Sequence, residues 1–202
     1  MVGAYFYGPE SFKISPPGHP NTLLLTASRA NLTRDSSFTA LDNLTLLARR
    51  QTNTPFEISI DVHPGFYKAQ GDEAGVTAFL HQDQHIDLGI VFLGGSPNSK
   101  GKLSFRCQAT DVGNTDLTII SPLVMPVPLL WLSEHIRIYI RAENSTNYRL
   151  SAAPVFRPHE SRMLATFTGA LISSPDVFTA ALLRVYATTN GGNHTMEGYV
   201  SR

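Results

Sequence analysis

Apolar and polar residues alternate with period two through much of this chain. Phe56, Ile58, Ile60 and Val62 are interleaved with Glu57, Ser59, Asp61 and His63, which puts one set on each face of an extended segment. Ile136, Ile138 and Ile140 stand in the same relation to Arg137, Tyr139 and Arg141. The stretch from Glu73 to Leu93, EAGVTAFLHQDQHIDLGIVFL, reads as two strand runs meeting at a polar centre rich in His and Gln. Further strands are predicted over 21–27, 75–80, 86–93, 102–107, 147–153 and 182–187. Turn formers separate them at Ser15-Pro-Pro-Gly18, Gly94-Gly-Ser-Pro97, Gly113-Asn114 and Asn190-Gly-Gly192. Residues 41–50, with Leu41, Leu44, Leu47 and Ala48 on one side, fit a short helix or an extended segment equally well. The proline-rich segment 122–130 is expected to lie outside a sheet. Many strands and almost no helix predict a single all-β domain over 1–202, with two antiparallel sheets packed face to face in a jelly-roll sandwich.

Composition narrows the function classes. Sixteen basic residues balance sixteen acidic ones, and 42% of the chain is apolar, so neither nucleic acid nor a membrane surface is an expected partner. No apolar run approaches the 18 or so residues of a spanning helix. The amino terminus lacks the basic start and apolar core of a signal peptide. Four Asn-x-Ser/Thr acceptors, at Asn31, Asn43, Asn144 and Asn193, point the other way, to a secreted protein, since about two would arise by chance. The one cysteine, Cys107, has no internal disulfide partner and is expected to be a buried, inert thiol in a strand.

Candidate chemistry is sparse. His81 and His85 have a spacing that chelates zinc on a helix, but along a strand they lie about 13 Å apart; a solvent-facing strand or bend is the expectation. Glycoside hydrolysis needs two carboxylates about 5–10 Å apart. Asp83 and Asp87 share a strand face at about 13 Å, the cross-strand pair Asp61 and Asp83 stays open, and acidic residues in general are read as solvated surface charges. No nucleophile elbow, phosphate-binding loop or dinucleotide fingerprint occurs, so no catalytic residue is nominated. Two aromatics are candidate sugar platforms: Trp131, after the proline-rich segment, and Tyr67 in the loop PGFYKAQGDE.

Several separated segments resemble one family. ISPPGHPNTLLLTASRANLT, LLARRQTNTPFEISIDV, EAGVTAFLHQDQHIDLGIV, IRIYIRAENSTNYRLSAAP and VYATTNGG are similar, in order and spacing, to the carboxy-terminal concanavalin A-like domain of fungal β-xylosidases of glycoside hydrolase family 43. The resemblance runs over about 12–202. It implies a concanavalin A-like jelly roll that packs on a five-bladed catalytic propeller, of the same or a neighbouring chain, in plant hemicellulose breakdown. The family's acidic catalytic residues belong to the propeller, so none transfers here. In some relatives a sandwich loop lends an aromatic side chain to the propeller's pocket, and the segment FTAALLRVYA makes Phe178 the candidate. Ala180 and Arg184 stand where the family reads glycine. Relatives continue beyond GYVSR into a final strand and open with another, so a fragment of a larger secreted enzyme with an unpaired sheet edge is expected. A free-standing lectin-like module binding xylan or xylo-oligosaccharides is the alternative. No cofactor is expected; such sandwiches often hold a structural calcium through Asp, Asn and backbone oxygens, for which no ligands are assigned.

Overall fold

The computed structural model describes residues 11–33, 44–53, 55–81, 83–94, 101–111, 120–144, 146–172 and 181–201. Phe178, Asn43 and the turn at Gly113-Asn114 lie outside the described residues. Thirteen strands are formed among the rest: β1 (Phe12–Ile14), β2 (Thr22–Thr26), β3 (Thr45–Arg50), β4 (Phe56–Val62), β5 (Glu73–His81), β6 (Gln84–Leu93), β7 (Lys102–Asp111), β8 (Ile120–Pro126), β9 (Ile136–Ala142), β10 (Asn147–Pro154), β11 (Arg162–Thr168), β12 (Leu182–Thr188) and β13 (Glu197–Ser201). The helical turns are single 3₁₀ turns, such as Pro64–Phe66 and Leu129–Trp131.

The strands make two antiparallel sheets, one of seven in the order β1-β2-β13-β4-β9-β10-β11 and one of six in the order β3-β12-β5-β6-β7-β8. Side chains from the two inner faces interdigitate. Leu25, Ile60, Val62, Ile136, Ile138, Ile140 and Leu150 come from the larger sheet, and Val76, Ile86, Leu88, Ile90, Phe105 and Leu183 from the smaller. Each such side chain contributes about 1.5–3 kcal/mol by leaving water. This is the sandwich of two antiparallel sheets that the alternation predicts.

Four details differ from expectation. Residues 41–50 resolve to the edge strand β3 rather than a helix in their described part. Part of the proline-rich segment is a strand, β8, paired with β7. It is an edge strand, the place where a proline costs no ladder hydrogen bond on the free side. The short strands β1 and β13 and the seven-residue β11, none of them predicted as a strand, complete the larger sheet. The chain's last described strand, β13, lies inside that sheet between β2 and β4, so it leaves no open edge of its own.

Candidate functional site

The core claims one face of the six-stranded sheet; period-two alternation therefore turns Glu73, Gly75, Thr77 and Phe79 of β5 outward, with His85, Asp87 and Gly89 of β6. Register aligns them into rows across four strands. Arg184, Thr77, Asp87 and Gln108 form one row. Tyr186, Gly75, Gly89 and Arg106 form a second. This outward face is not a solvated surface: Glu73, Thr77 and His85 are 0% exposed and Asp87 5%. A small apolar cluster of Leu32, Leu46, Phe79 and Tyr186, with Leu44 against it, packs on it.

At one end of the face Glu73 is fully engaged. Arg106 pairs with it through two nitrogens, Nε reaching Oε1 at 3.1 Å. The Tyr186 hydroxyl donates to Oε1 at 2.7 Å, and Asn190 Nδ2 donates to Oε2 at 2.9 Å. Asn190 is aimed by the turn Thr189–Gly192, closed by a Gly192 N–H to Thr189 carbonyl bond of 3.0 Å. Its two central residues, Asn190 and Gly191, have φ of 46° and 92°, the left-handed pair that an Asn-Gly sequence adopts most readily. A Cβ on Gly89 would collide with Glu73 Oε1 and the Tyr186 hydroxyl, so glycine there makes room for the network. Burial opposes the Arg106 cation, but Glu73, then Tyr186 and Asp87, outweigh it and hold the guanidinium above its ordinary pKa. Burial first, then the Glu73 charge, pushes the Tyr186 phenol well above its usual value.

The next row is different in kind. His85 Nδ1 and Asp87 Oδ2 are 2.6 Å apart, and an ionised carboxylate makes Nδ1 the donor. The other carboxylate oxygen Asp87 Oδ1, His85 Nε2 and the Thr77 hydroxyl are all buried without a hydrogen-bond partner. Thr77 faces Asp87 directly across the β5–β6 ladder. Phe79 stacks on the His85 ring at 5.5 Å between centroids, and the Arg184 guanidinium lies 4.1 Å over Phe79. A buried polar group without a partner costs about 1–3 kcal/mol, so three on one patch are a local cost to stability.

Several sequence expectations are corrected here. Asp61, Asp72, Glu73, Asp87 and Asp111 are buried rather than solvated; Asp61, Asp72, Glu73 and Asp111 each have a partner distant in sequence, whereas Asp87 is held by His85 two residues away. Asp61 is in the other sheet, bound to Arg137, and cannot pair with Asp83. The chain turns between His81 and His85: His81 stays near exposed Asp83 at 4.0 Å, while His85 is interior. Glu73 and Asp87 do not make a glycosidase pair, since four strand residues offset them by about 13 Å, and Glu73 has no free lone pair aimed at a substrate.

A sugar platform requires an open ring face, which Trp131 and Tyr67 lack at 1% and 7% exposure. Trp131 is a core residue whose Nε1 donates to Glu160 Oε2 at 3.0 Å, with Phe105 against its edge and Arg162 over its ring. Tyr67 packs on Phe66 in the 3₁₀ turn, and burial, then Glu73 and Asp72, raise its pKa well above the usual value. Tyr199, by contrast, is 38% exposed and stacked on His19 at 3.7 Å, and Phe156 is 79% exposed. Tyr199 and His19 lie beside His63, His135, Lys68 and Glu197 in an open groove of about 650 Å³. Only its assembly from β13, the β1–β2 turn and two loops makes it a groove, which one-dimensional spacing does not reveal. Of the glycosylation acceptors, Asn144 and Asn193 are exposed and Asn31 half-buried. Among the described residues no cluster of His, Cys, Asp or Glu could hold a metal ion, so no calcium ligands are assigned.

Comparison with known proteins bears on the fold as a whole. Residues 10–197 match the family described as Beta xylosidase C-terminal Concanavalin A-like domain. No curated protein matches the chain. Among solved structures, a xylan β-1,4-xylosidase from Bacillus halodurans superposes with a TM-score of 0.66 and 17% identity, over 96% of this chain and 34% of that one. The Bacteroides ovatus xyloglucan PUL GH43B superposes with a TM-score of 0.63 and 19% identity, over 92% and 33%. The chain thus spans about a third of the length of these solved chains. A functionally unknown Saccharomyces cerevisiae protein is covered over 93% of its length, with 12% identity and a TM-score of 0.59. The match over nearly its whole length means that this chain belongs to the family of β-xylosidase C-terminal concanavalin A-like domains.

Proposed function

We propose that the chain is a non-catalytic accessory domain of a secreted glycoside hydrolase of β-xylosidase or arabinofuranosidase type, packing on and shaping a catalytic propeller during hemicellulose breakdown. The observation that carries this reading is the family match over 10–197, joined to the lack of a usable carboxylate pair on the described faces. The one rich polar face divides into a saturated network at Glu73 and a patch too distant from it for two-carboxylate chemistry. Pairing the purified chain with the propeller of a related β-xylosidase tests the reading. The expected result is a stable complex with a longer thermal half-life and altered turnover of aryl xylosides. Absence of any association with such propellers would remove it.

A free-standing carbohydrate-binding module is the second reading. It is favoured by the superposition on nearly the whole of the Saccharomyces cerevisiae protein, which establishes likeness of fold for a chain of this size. Titration of the domain alone with xylo-oligosaccharides tests this second reading, which expects heat from the isolated sandwich; the first is read from propeller association and makes no demand on that titration.

A further inference from the structure

We infer that the patch made by Thr77, His85 and Asp87 on the outer face of the six-stranded sheet is a binding site for a neutral saccharide, engaging two neighbouring hydroxyls. This deepens the carbohydrate-binding reading and rests on it for the choice of ligand. The geometry comes first. The three side chains project from two adjacent antiparallel strands, Thr77 directly opposite Asp87 and His85 two residues along on the same side. All are buried, and each offers an unused polar atom.

The chemistry of those atoms selects the ligand. The pair His85 Nδ1 to Asp87 Oδ2 orients the imidazole and leaves His85 Nε2 and Asp87 Oδ1 unused; with Nδ1 donating in that pair, Nε2 of an uncharged ring is an acceptor, as is Oδ1. The Thr77 hydroxyl both donates and accepts. Two acceptors beside a bifunctional hydroxyl suit adjacent sugar hydroxyls, each of which donates once and accepts once. Asp87 Oδ1 would take an ion as well, but among the described residues no three His, Cys, Asp or Glu side chains converge on one point. Phe79, stacked on His85, gives the patch an apolar flank for C–H groups. Half-buried Arg184 and Gln108 stand at the two ends of the Thr77–Asp87 row, so a ligand would reach the three buried atoms only by displacing long side chains of this kind.

The test uses the full chain, followed by thermal shift and NMR titration with xylose, xylobiose, xylotetraose and arabinose. Thr77→Val removes the unused hydroxyl at constant shape, and Asp87→Asn replaces the acceptor oxygen by an amide while retaining volume. Tyr199→Ala, in the separate groove, is the control. The expected result is a ligand-induced rise in Tm for the unaltered chain and for Tyr199→Ala. In Thr77→Val the same ligand binds at least tenfold more weakly, while the unliganded variant melts no lower than the parent; Asp87→Asn loses binding similarly. Equal affinity in both patch variants, loss confined to Tyr199→Ala, or no response to any of the four sugars overturns the inference. Such a failure leaves the accessory-domain reading intact, because that one is read from propeller association.

Discussion

Glu73 is the residue whose removal should be felt most. It is wholly buried, and its partners Arg106, Tyr186 and Asn190 come from three different segments. Glu73→Gln leaves the Arg106 cation without its counter-charge, and breaking one partner of a buried pair costs about 3–5 kcal/mol. Urea unfolding at neutral pH should show that loss, whereas Tyr186→Phe, which deletes one hydrogen bond, should cost about 1 kcal/mol. Cys107 offers a pH prediction. Burial pushes its thiol pKa up to about 12, so the folded protein holds that proton after the unfolded chain has released it. Where the unfolded state binds fewer protons than the folded one, stability falls as pH rises. This group therefore leaves stability unchanged below about pH 9, the range of a free thiol, and erodes it from there towards 12. Ellman's reagent at pH 8 should label Cys107 only as fast as the protein unfolds; prompt labelling of the native chain would contradict the burial.

At the scale of elements, the β4–β9 ladder shows what periodicity reveals and what it leaves out. The alternation of Ile58 and Ile60 with Glu57 and Asp61, and of Ile138 and Ile140 with Arg137 and Arg141, predicts both strands and their inward faces. Register then sets Glu57 against Arg141 and Asp61 against Arg137, which no local pattern specifies. The two pairs differ in worth. Asp61 is buried and takes both Arg137 nitrogens at 2.6 and 2.7 Å, so Asp61→Asn should cost about 1.5–3 kcal/mol. Arg141 is half-exposed beside Glu57, and Glu57→Gln should cost under about 1 kcal/mol. Matched urea melts of the two variants check the ordering, and high salt should weaken only the second pair. The same limit explains the candidate site. Thr77, His85 and Asp87 read as polar positions of strands, and the sequence alone suggests solvent for them. Their burial rests on neighbours that register supplies, Phe79 over the His85 ring and Arg184 and Gln108 beside Thr77 and Asp87, which no local pattern specifies. Trp131 and Tyr67 stand near prolines and glycines in the sequence, as loop residues do, but single 3₁₀ turns carry both into the core.

On the whole molecule, the accessory-domain reading looks to apolar side chains left in water for the place where a second domain would press. Leu129, Leu130 and Phe156 are 83%, 76% and 79% exposed. They surround a rigid base, since Arg157 binds the Leu130 carbonyl and joins Glu134 to Glu160. A base of charge-assisted bonds presenting large apolar tips is suited to docking, because little side-chain order is lost on contact. Beside it, Leu129 and Leu132 line a shallow apolar groove of about 450 Å³ with Phe92, Leu103 and Val127. The accessory-domain reading therefore expects the propeller to cover this corner. Leu129→Ser combined with Phe156→Ser should leave the Tm of the isolated sandwich within about 2 °C, as changes at exposed positions usually do, while weakening its complex with a propeller at least tenfold. Hydrogen exchange on the complex should slow at 129–132 and 156–157 and stay unchanged at the Thr77–Asp87 patch on the opposite sheet face. A complex that forms equally well with the doubly substituted chain would place the docking surface elsewhere on the sandwich.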